Sequence, residues 1–300
     1  MMIRGLVLMG LVGCVDQEEF ALEFVAVHHG ARVGCDDVLM GFGPDADQSV
    51  RIADLRLYVS ALEFLDADGL VIAHTLDANE FQLDHPEGWV SLVDLAGTDA
   101  GACAPDGITF AEGTARLHPT LTGQTAVDDV ASVRFDVGVP QAVMSAVIGD
   151  YTAEAAPSPL GEMYWSWVTG YRHFVLNMAV DAPEEQGEGY VHIGSTDCAA
   201  KGENALESRS ACGAINTPRV AMEFDLVTDV IGIDVGTLLA GLDFRAPVYD
   251  PQTFEIIGEQ PGVECHSSTL QSDCAQIFDA VGIDPDGDAA ADANQVFRRL

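Results

Sequence analysis

Leu55-Arg56-Leu57-Tyr58-Val59-Ser60-Ala61-Leu62-Glu63-Phe64, then Asp66-Ala67-Asp68-Gly69, then Leu70-Val71-Ile72-Ala73-His74-Thr75, is the stretch whose reading decides the fold. Leu55, Leu57 and Val59, then Leu62 and Phe64, alternate along a short apolar segment that ends at a turn signal, which predicts a strand with one face in a core. Gly69 can adopt the positive φ that a tight connection demands, so the two runs read as one antiparallel hairpin.

Working outward, similar short apolar runs recur at 20–27, 90–95, 132–139, 173–180, 190–193 and 219–226, separated by turn signals. That spacing predicts an all-β chain, an antiparallel β-sandwich with long loops. Helices are expected only near the end, at 234–242 and at 272–281. The second opens with Ser272-Asp273 as caps, stops at Gly282, and offers Leu270, Ile277 and Val281 for docking on the sheet. A Pro-rich loop at 157–159 and an acidic loop at 284–288 complete the pattern. No repeat or composition shift divides the chain, so 20–300 reads as one domain.

Residues 1–13 have a short basic head and an apolar stretch well below the roughly 20 residues that span a bilayer. They read as an export signal. Leu11-Val12-Gly13-Cys14 fits a lipoprotein cleavage site, which makes Cys14 the lipidated first mature residue, with 14–19 a short tether. The expected location is the cell envelope, lipid-anchored in the outer membrane and facing the periplasm or the cell surface. The membrane is then reached through the lipid alone.

Seven cysteines occur. With Cys14 acylated, Cys35, Cys103, Cys198, Cys212, Cys265 and Cys274 are an even set in an exported chain, which implies disulfides. Cys198 with Cys212 and Cys265 with Cys274 close short loops, leaving Cys35 with Cys103. A thiolate metal cluster would want tighter C-x-x-C spacing.

Lys and Arg total 13 against 48 Asp and Glu, a net charge of −35, which argues against nucleic acid as a partner. No Gly-x-Ser-x-Gly, phosphate-cradling glycine loop or His-Glu-x-x-His is present, so the chain does not read as an enzyme.

Several segments recur in one order: Asp54-Leu-Arg-Leu-Tyr-Val-Ser60, Phe135-Asp-Val-Gly-Val-Pro140, Pro157-Ser-Pro-Leu160, Met163-Tyr-Trp-Ser-Trp167, Gly170-Tyr171, His192-Ile-Gly-Ser-Thr-Asp-Cys198 and Cys212. This order resembles the MbnP-like copper-binding proteins, also called metallo-mystery-pair four-cysteine proteins. Cys265, Cys274 and the helix before Gly282 resemble the family's closing segment.

The resemblance implies an exported copper-binding β-sandwich working beside a dihaem cytochrome c peroxidase-like partner, which converts a tryptophan to kynurenine. Trp165 and Trp167 are the candidates for that change. Indole offers a metal no good lone pair, whereas kynurenine exposes an amine and a ketone. His192, at a strand end six residues before Cys198, is the leading imidazole ligand. His28 and His29 are further candidates, although neighbours on a strand point to opposite faces, so at most one would enter a shared site. His173 alternates like an ordinary strand residue. Relatives commonly carry Asn-His after Gly-Val-Pro, whereas Gln141-Ala-Val-Met-Ser145 stands here, so either another donor such as Met144, His28 or His29 substitutes or the chain binds copper poorly. Without that resemblance, paired aromatics read as core and the chain as a metal-free, disulfide-stapled surface binding or scaffold module.

Overall fold

The computed structural model describes residues 17–300 apart from 36, 99–100, 104, 106–107, 109–114, 152–154, 166–169, 201–208, 254, 269 and 285–292, and describes 98, 101, 148–149, 165, 197–200 and 209–211 as backbone only. Signal, tether start and Cys14 therefore lie outside the described residues.

Strands in chain order are β1 (Glu18–His28), β2 (Gln48–Leu65), β3 (Gly88–Asp94), β4 (Thr120–Thr125) and β5 (Ser132–Val137). Helix α1 (Gln141–Asp150) follows, then β6 (Gly170–Asp181), β7 (Gln186–Gly194), β8 (Arg219–Glu223) and β9 (Ile231–Asp234). The chain closes with α2 (Val235–Leu238), β10 (Arg245–Tyr249), β11 (Ile256–Pro261), β12 (Glu264–His266), α3 (Ser272–Val281) and β13 (Phe297–Arg299).

Two sheets face one another, giving the expected all-β sandwich. The smaller runs β13-β9-β1-β4 and ends on the short strand His74–Leu76; the larger runs β8-β5-β2-β6-β7-β12. Alternation explains the layering. Leu55 and Leu57 on β2, Phe174, Leu176 and Met178 on β6, and Val191 and Ile193 on β7 are register partners that share the inward face. They join Phe20, Leu22 and Phe24 of β1 in one core. Edge-on ring pairs Phe20–Phe64 and Phe24–Phe135, 5.0 and 5.7 Å between centroids, bridge the sheets and add about 0.5–1.5 kcal/mol each beyond burial.

The larger sheet is covered on its outer face too. There Tyr58, Val90, Leu92, Tyr171 and Val175 pack against Val143, Met144 and Val147 of α1 and against Leu160 and Met163. Nearly every residue of β6 is consequently buried, inward and outward alike.

Several expectations shift. The 55–64 run is the second half of an 18-residue strand, β2. The expected hairpin forms at its tip, Phe64 opposite Ile72, with Asp66 Oδ1 accepting from Asp68 and Leu70 N–H and Gly69 at φ 78°. It does not continue to residue 75: Leu70 and Val71 project beyond the core, 65% and 55% exposed, and the chain crosses at Ala73 so that His74–Leu76 pairs β4 in the other sheet.

Among the described residues three α-helices occur, and not only near the C-terminus. α1 went unforeseen because its apolar residues surround the helix rather than forming a stripe. The 234–242 helix shrinks to one turn capped by Asp234, whose Oδ1 accepts from Thr237 N–H at 3.1 Å. α3 has the expected bounds, but its N-cap is Gln271: Asp273 accepts instead from Glu264 N–H at 2.9 Å. Leu270 precedes the helix and is 96% exposed, so Cys274, Ile277, Phe278 and Val281 make the docking face.

Cys35–Cys103 and Cys265–Cys274 are bonded. Cys198 and Cys212 stand opposite one another in the hairpin formed by Thr196–Ala200 and Arg209–Ala214. Among the described residues no helix is long and apolar enough to cross a membrane.

Candidate metal centre

Because β2, β6, β7 and β12 lie side by side, the residues that alternate outward form a polar row on the covered outer face. Register places Arg56, Val175, His192 and His266 across it in one line, and Asp54, Asn177, Tyr190 and Glu264 in the next. Arg56 and Asp54 neutralise one another through Nε–H to Oδ1 and Nη2–H to Oδ2, at 2.8 and 2.6 Å, both fully buried.

The chemistry concentrates at the β7–β12 end. These strands are parallel, and their pairing sets His266 directly beside His192 although 74 residues separate them. The two Nδ1 atoms are 3.0 Å apart and the ring centroids 4.8 Å, with Tyr190 about equally far from both rings at 5.9 and 6.0 Å. His192 Nε2 is 2.7 Å from Asn177 Oδ1. A carbonyl oxygen only accepts, so Nε2 carries the proton and Nδ1 keeps a lone pair. His266 Nδ1–H donates to that lone pair.

Main-chain hydrogen bonds hold both rings in place. Ser267 Oγ–H donates to His192 O at 2.8 Å while accepting from Gly194 N–H at 2.7 Å, and His266 N–H donates to Gln271 Oε1 at 2.7 Å. The Cys265–Cys274 bond ties the same strand to α3.

Both imidazoles are neutral at ordinary pH. Burial holds His192 well below the usual histidine range, helped by the nearby cations His266, Arg172 and Arg56 when charged. Burial, with a smaller push from Arg172, lowers His266 to about 4. Neutral nitrogens facing one another 3.0 Å apart are donors that a metal ion such as copper would accept. Asn177, oriented on the far nitrogen of His192, is the kind of outer partner that ligating histidines use. Among the described residues no third His, Cys, Asp or Glu completes a cluster with them.

The other predicted site residues fall as follows. Trp165 closes the short strand Tyr164–Trp165, opposite Gly170 of β6, and Arg172 N–H donates to Met163 O at 3.0 Å. Its side chain, and Trp167 entirely, lie outside what is described. His28 and His29 are elsewhere. They line a cavity of about 750 Å³ at the end of β1 with Gly41, Phe42, Asp234 and Gly236, which shares no lining residue with the cavity beside His266. Nor do they diverge as strand neighbours would: His29 leaves the strand at φ 49°, and the two rings stack at 3.9 Å. Stacked rings aim their nitrogens in parallel, which does not converge on one ion. Met144 is buried, its Sδ accepting from Ser195 Oγ–H at 3.4 Å.

His173 sits where the β6–β7 register slips, wholly buried, its Nδ1 near Asn216 O and Thr217 Oγ1; burial lowers it to about 4. It packs on Gly138, where an added Cβ would lie 2.7 Å from its ring nitrogen, which explains glycine in Gly-Val-Pro.

His266 was missed by sequence reasoning. A signal existed, since Glu264-Cys265-His266 places a histidine beside a cysteine already expected to bond.

The family model described as MbnP matches residues 17–257. Among solved structures the fold superimposes on "MbnP from Methylosinus trichosporium" with a TM-score of 0.69 at 25% identity, covering 95% of this chain and 99% of that one. No curated protein matches. With most of its length accounted for by the family model, the chain belongs to the MbnP family.

Proposed function

We propose that this protein is an exported copper-binding protein whose metal is held by His192 and His266. The observation that carries the reading is the pair of neutral imidazoles, His192 buried and His266 half-buried, with Nδ1 atoms 3.0 Å apart. His192 and His266 would hold the ion through their Nδ1 atoms, with the proton of His266 carried on Nε2. Binding then releases no proton near neutral pH, while Asn177 keeps His192 in its ligating tautomer. Copper held there supplies one-electron redox capacity and Lewis acidity. The role is binding rather than catalysis by the chain itself.

Trp165 and Trp167 complete the proposal as the residues one of which becomes kynurenine through a dihaem cytochrome c peroxidase-like partner. Trp165 pairs with Gly170 at the start of β6. Cys14 is the lipid anchor in the cell envelope.

Elemental analysis of protein purified from its native envelope tests this: near-unit copper in wild type, and strong loss in His192→Ala and in His266→Ala but not in His28→Ala. A wild type without copper, or loss confined to His28→Ala, overturns it. Peptide mass spectrometry across 159–172 reads the tryptophan conversion directly.

A further inference from the structure

One cavity outside the histidine pair opens onto it. About 330 Å³ in volume, it lies between the β7–β12 edge and the β10–β11 hairpin, and His266, Glu264, Tyr190, Glu188, Tyr249 and Val248 are on its wall. His192 is not, so His266 is the ligand that faces the cavity.

Glu264 and His266 are two apart on one strand and share a face. The Glu264 carboxylate accepts from Gln271 Nε2–H at 2.9 Å and from Tyr249 O–H at 3.2 and 3.3 Å. The same Gln271 accepts from His266 N–H. Carboxylate, glutamine and ligand histidine are thus one linked unit. Tyr249 joins it from the separate hairpin, at 43% exposure, so the phenol spans the mouth from the outside.

Two neutral imidazoles attract no cation from a distance, and a half-buried carboxylate on the route supplies that attraction.

We propose that the metal ion enters through this cavity, captured first by Glu264 and then passed to His266 and His192, with Tyr249 as a latch that gives up its hydrogen bond when the cation arrives. This inference rests on the histidine-pair reading above. Glu264 is here a capture residue and not a final ligand.

A capture group changes loading and unloading rates together, whereas a ligand changes affinity. Stopped-flow loading with Cu(II) in a weakly coordinating buffer, at low and moderate salt, separates them. Glu264→Gln is expected to slow loading about tenfold at low salt, within the range of electrostatic steering, with equilibrium affinity changed less than about threefold. Glu223→Gln, the same charge change at an exposed position of β8, is expected to load like wild type. Tyr249→Phe should load faster than wild type, its latch removed. Thermal melts of each variant confirm folding.

Unchanged loading in Glu264→Gln overturns the proposal. So does a large affinity loss in it, which would make Glu264 a ligand, or an equal slowing in Glu223→Gln, which would make the effect one of net charge. A wild type that takes up no Cu(II) instead sinks the histidine-pair reading itself.

Discussion

Removing the two described disulfides separately should uncouple stability from copper binding, and in opposite order. Cys35–Cys103 closes a span of 68 residues and Cys265–Cys274 a span of 9. In the chain-entropy model these are worth about 4.4 and about 2.6 kcal/mol. At roughly 2–4 °C per kcal/mol for a chain of this size, Cys35→Ala/Cys103→Ala should melt about 9–18 °C lower than wild type, and Cys265→Ala/Cys274→Ala about 5–10 °C lower.

Copper should rank them the other way. Cys265 directly precedes His266 on β12 and anchors that short strand to α3, whereas the longer bridge joins loops on elements that do not pair with β7 or β12. Loosening an outer support of a ligand typically lowers affinity 10–100-fold. We therefore expect that loss in Cys265→Ala/Cys274→Ala and affinity within about threefold of wild type in Cys35→Ala/Cys103→Ala. Calorimetric melts and competitive copper titration, both well below the melting temperatures, provide the two readings. Affinity falling in proportion to stability across both variants would refute the reasoning, because copper binding would then report global folding and not the placement of His266.

Gly138→Ala adds a Cβ that meets the His173 ring at 2.7 Å from a φ of 154°, and should destabilise by about 1–3 kcal/mol in chemical denaturation; an unchanged midpoint would mean the ring moves freely. His173 is lowered to about 4 in the folded protein, so its contribution is complete above about pH 6.5 and is lost as pH falls toward 4, where the unfolded chain alone takes up the proton. That loss is roughly 3 kcal/mol, and His173→Gln should flatten the acid limb of stability against pH by a similar amount; an unaltered limb would locate the acid sensitivity elsewhere. Copper, competing with protons only below the lowered range of His266, should stay bound at pH 5 and leave below about 4; release near pH 6.5 would indicate an ordinary exposed histidine as ligand.

What was legible in the sequence was whatever lies close along the chain. The period-2 runs marked β1, β2, β3, β5, β6, β7 and β8, and Ser272 to Gly282 marked α3, because strand alternation and a helix stop are local signals. Local reading erred where packing decides. Ala73 looks like the middle of one strand but is the point where the chain changes sheet. α1 carries apolar residues around most of its circumference although Val143, Met144 and Val147 are the ones that pack on the sheet, so no amphipathic stripe announced it. His28 and His29 were assigned to opposite faces on the assumption of a continuous strand, which a left-handed residue at His29 ends.

The histidine pair shows why half of this site was hidden. His192 could be singled out, since it stands near a cysteine at a strand end. Its partner is brought by a parallel pairing, and parallel neighbours need a long crossover; here β8, β9, α2, β10 and β11 intervene. No spacing rule links positions 192 and 266. What does link them is the requirement that Val191 and Cys265 both point into the core, which forces the residues after them, His192 and His266, to the opposite face together. That face would be solvated in most antiparallel sandwiches, and two histidines there would titrate near their ordinary value. Here His192 lies beside Val175, on which the outer apolar layer packs, and His266 is half-buried against the β10–β11 hairpin, so burial lowers both rings. Burial on the outer face, not the sandwich alone, is what holds these two strand histidines neutral side by side.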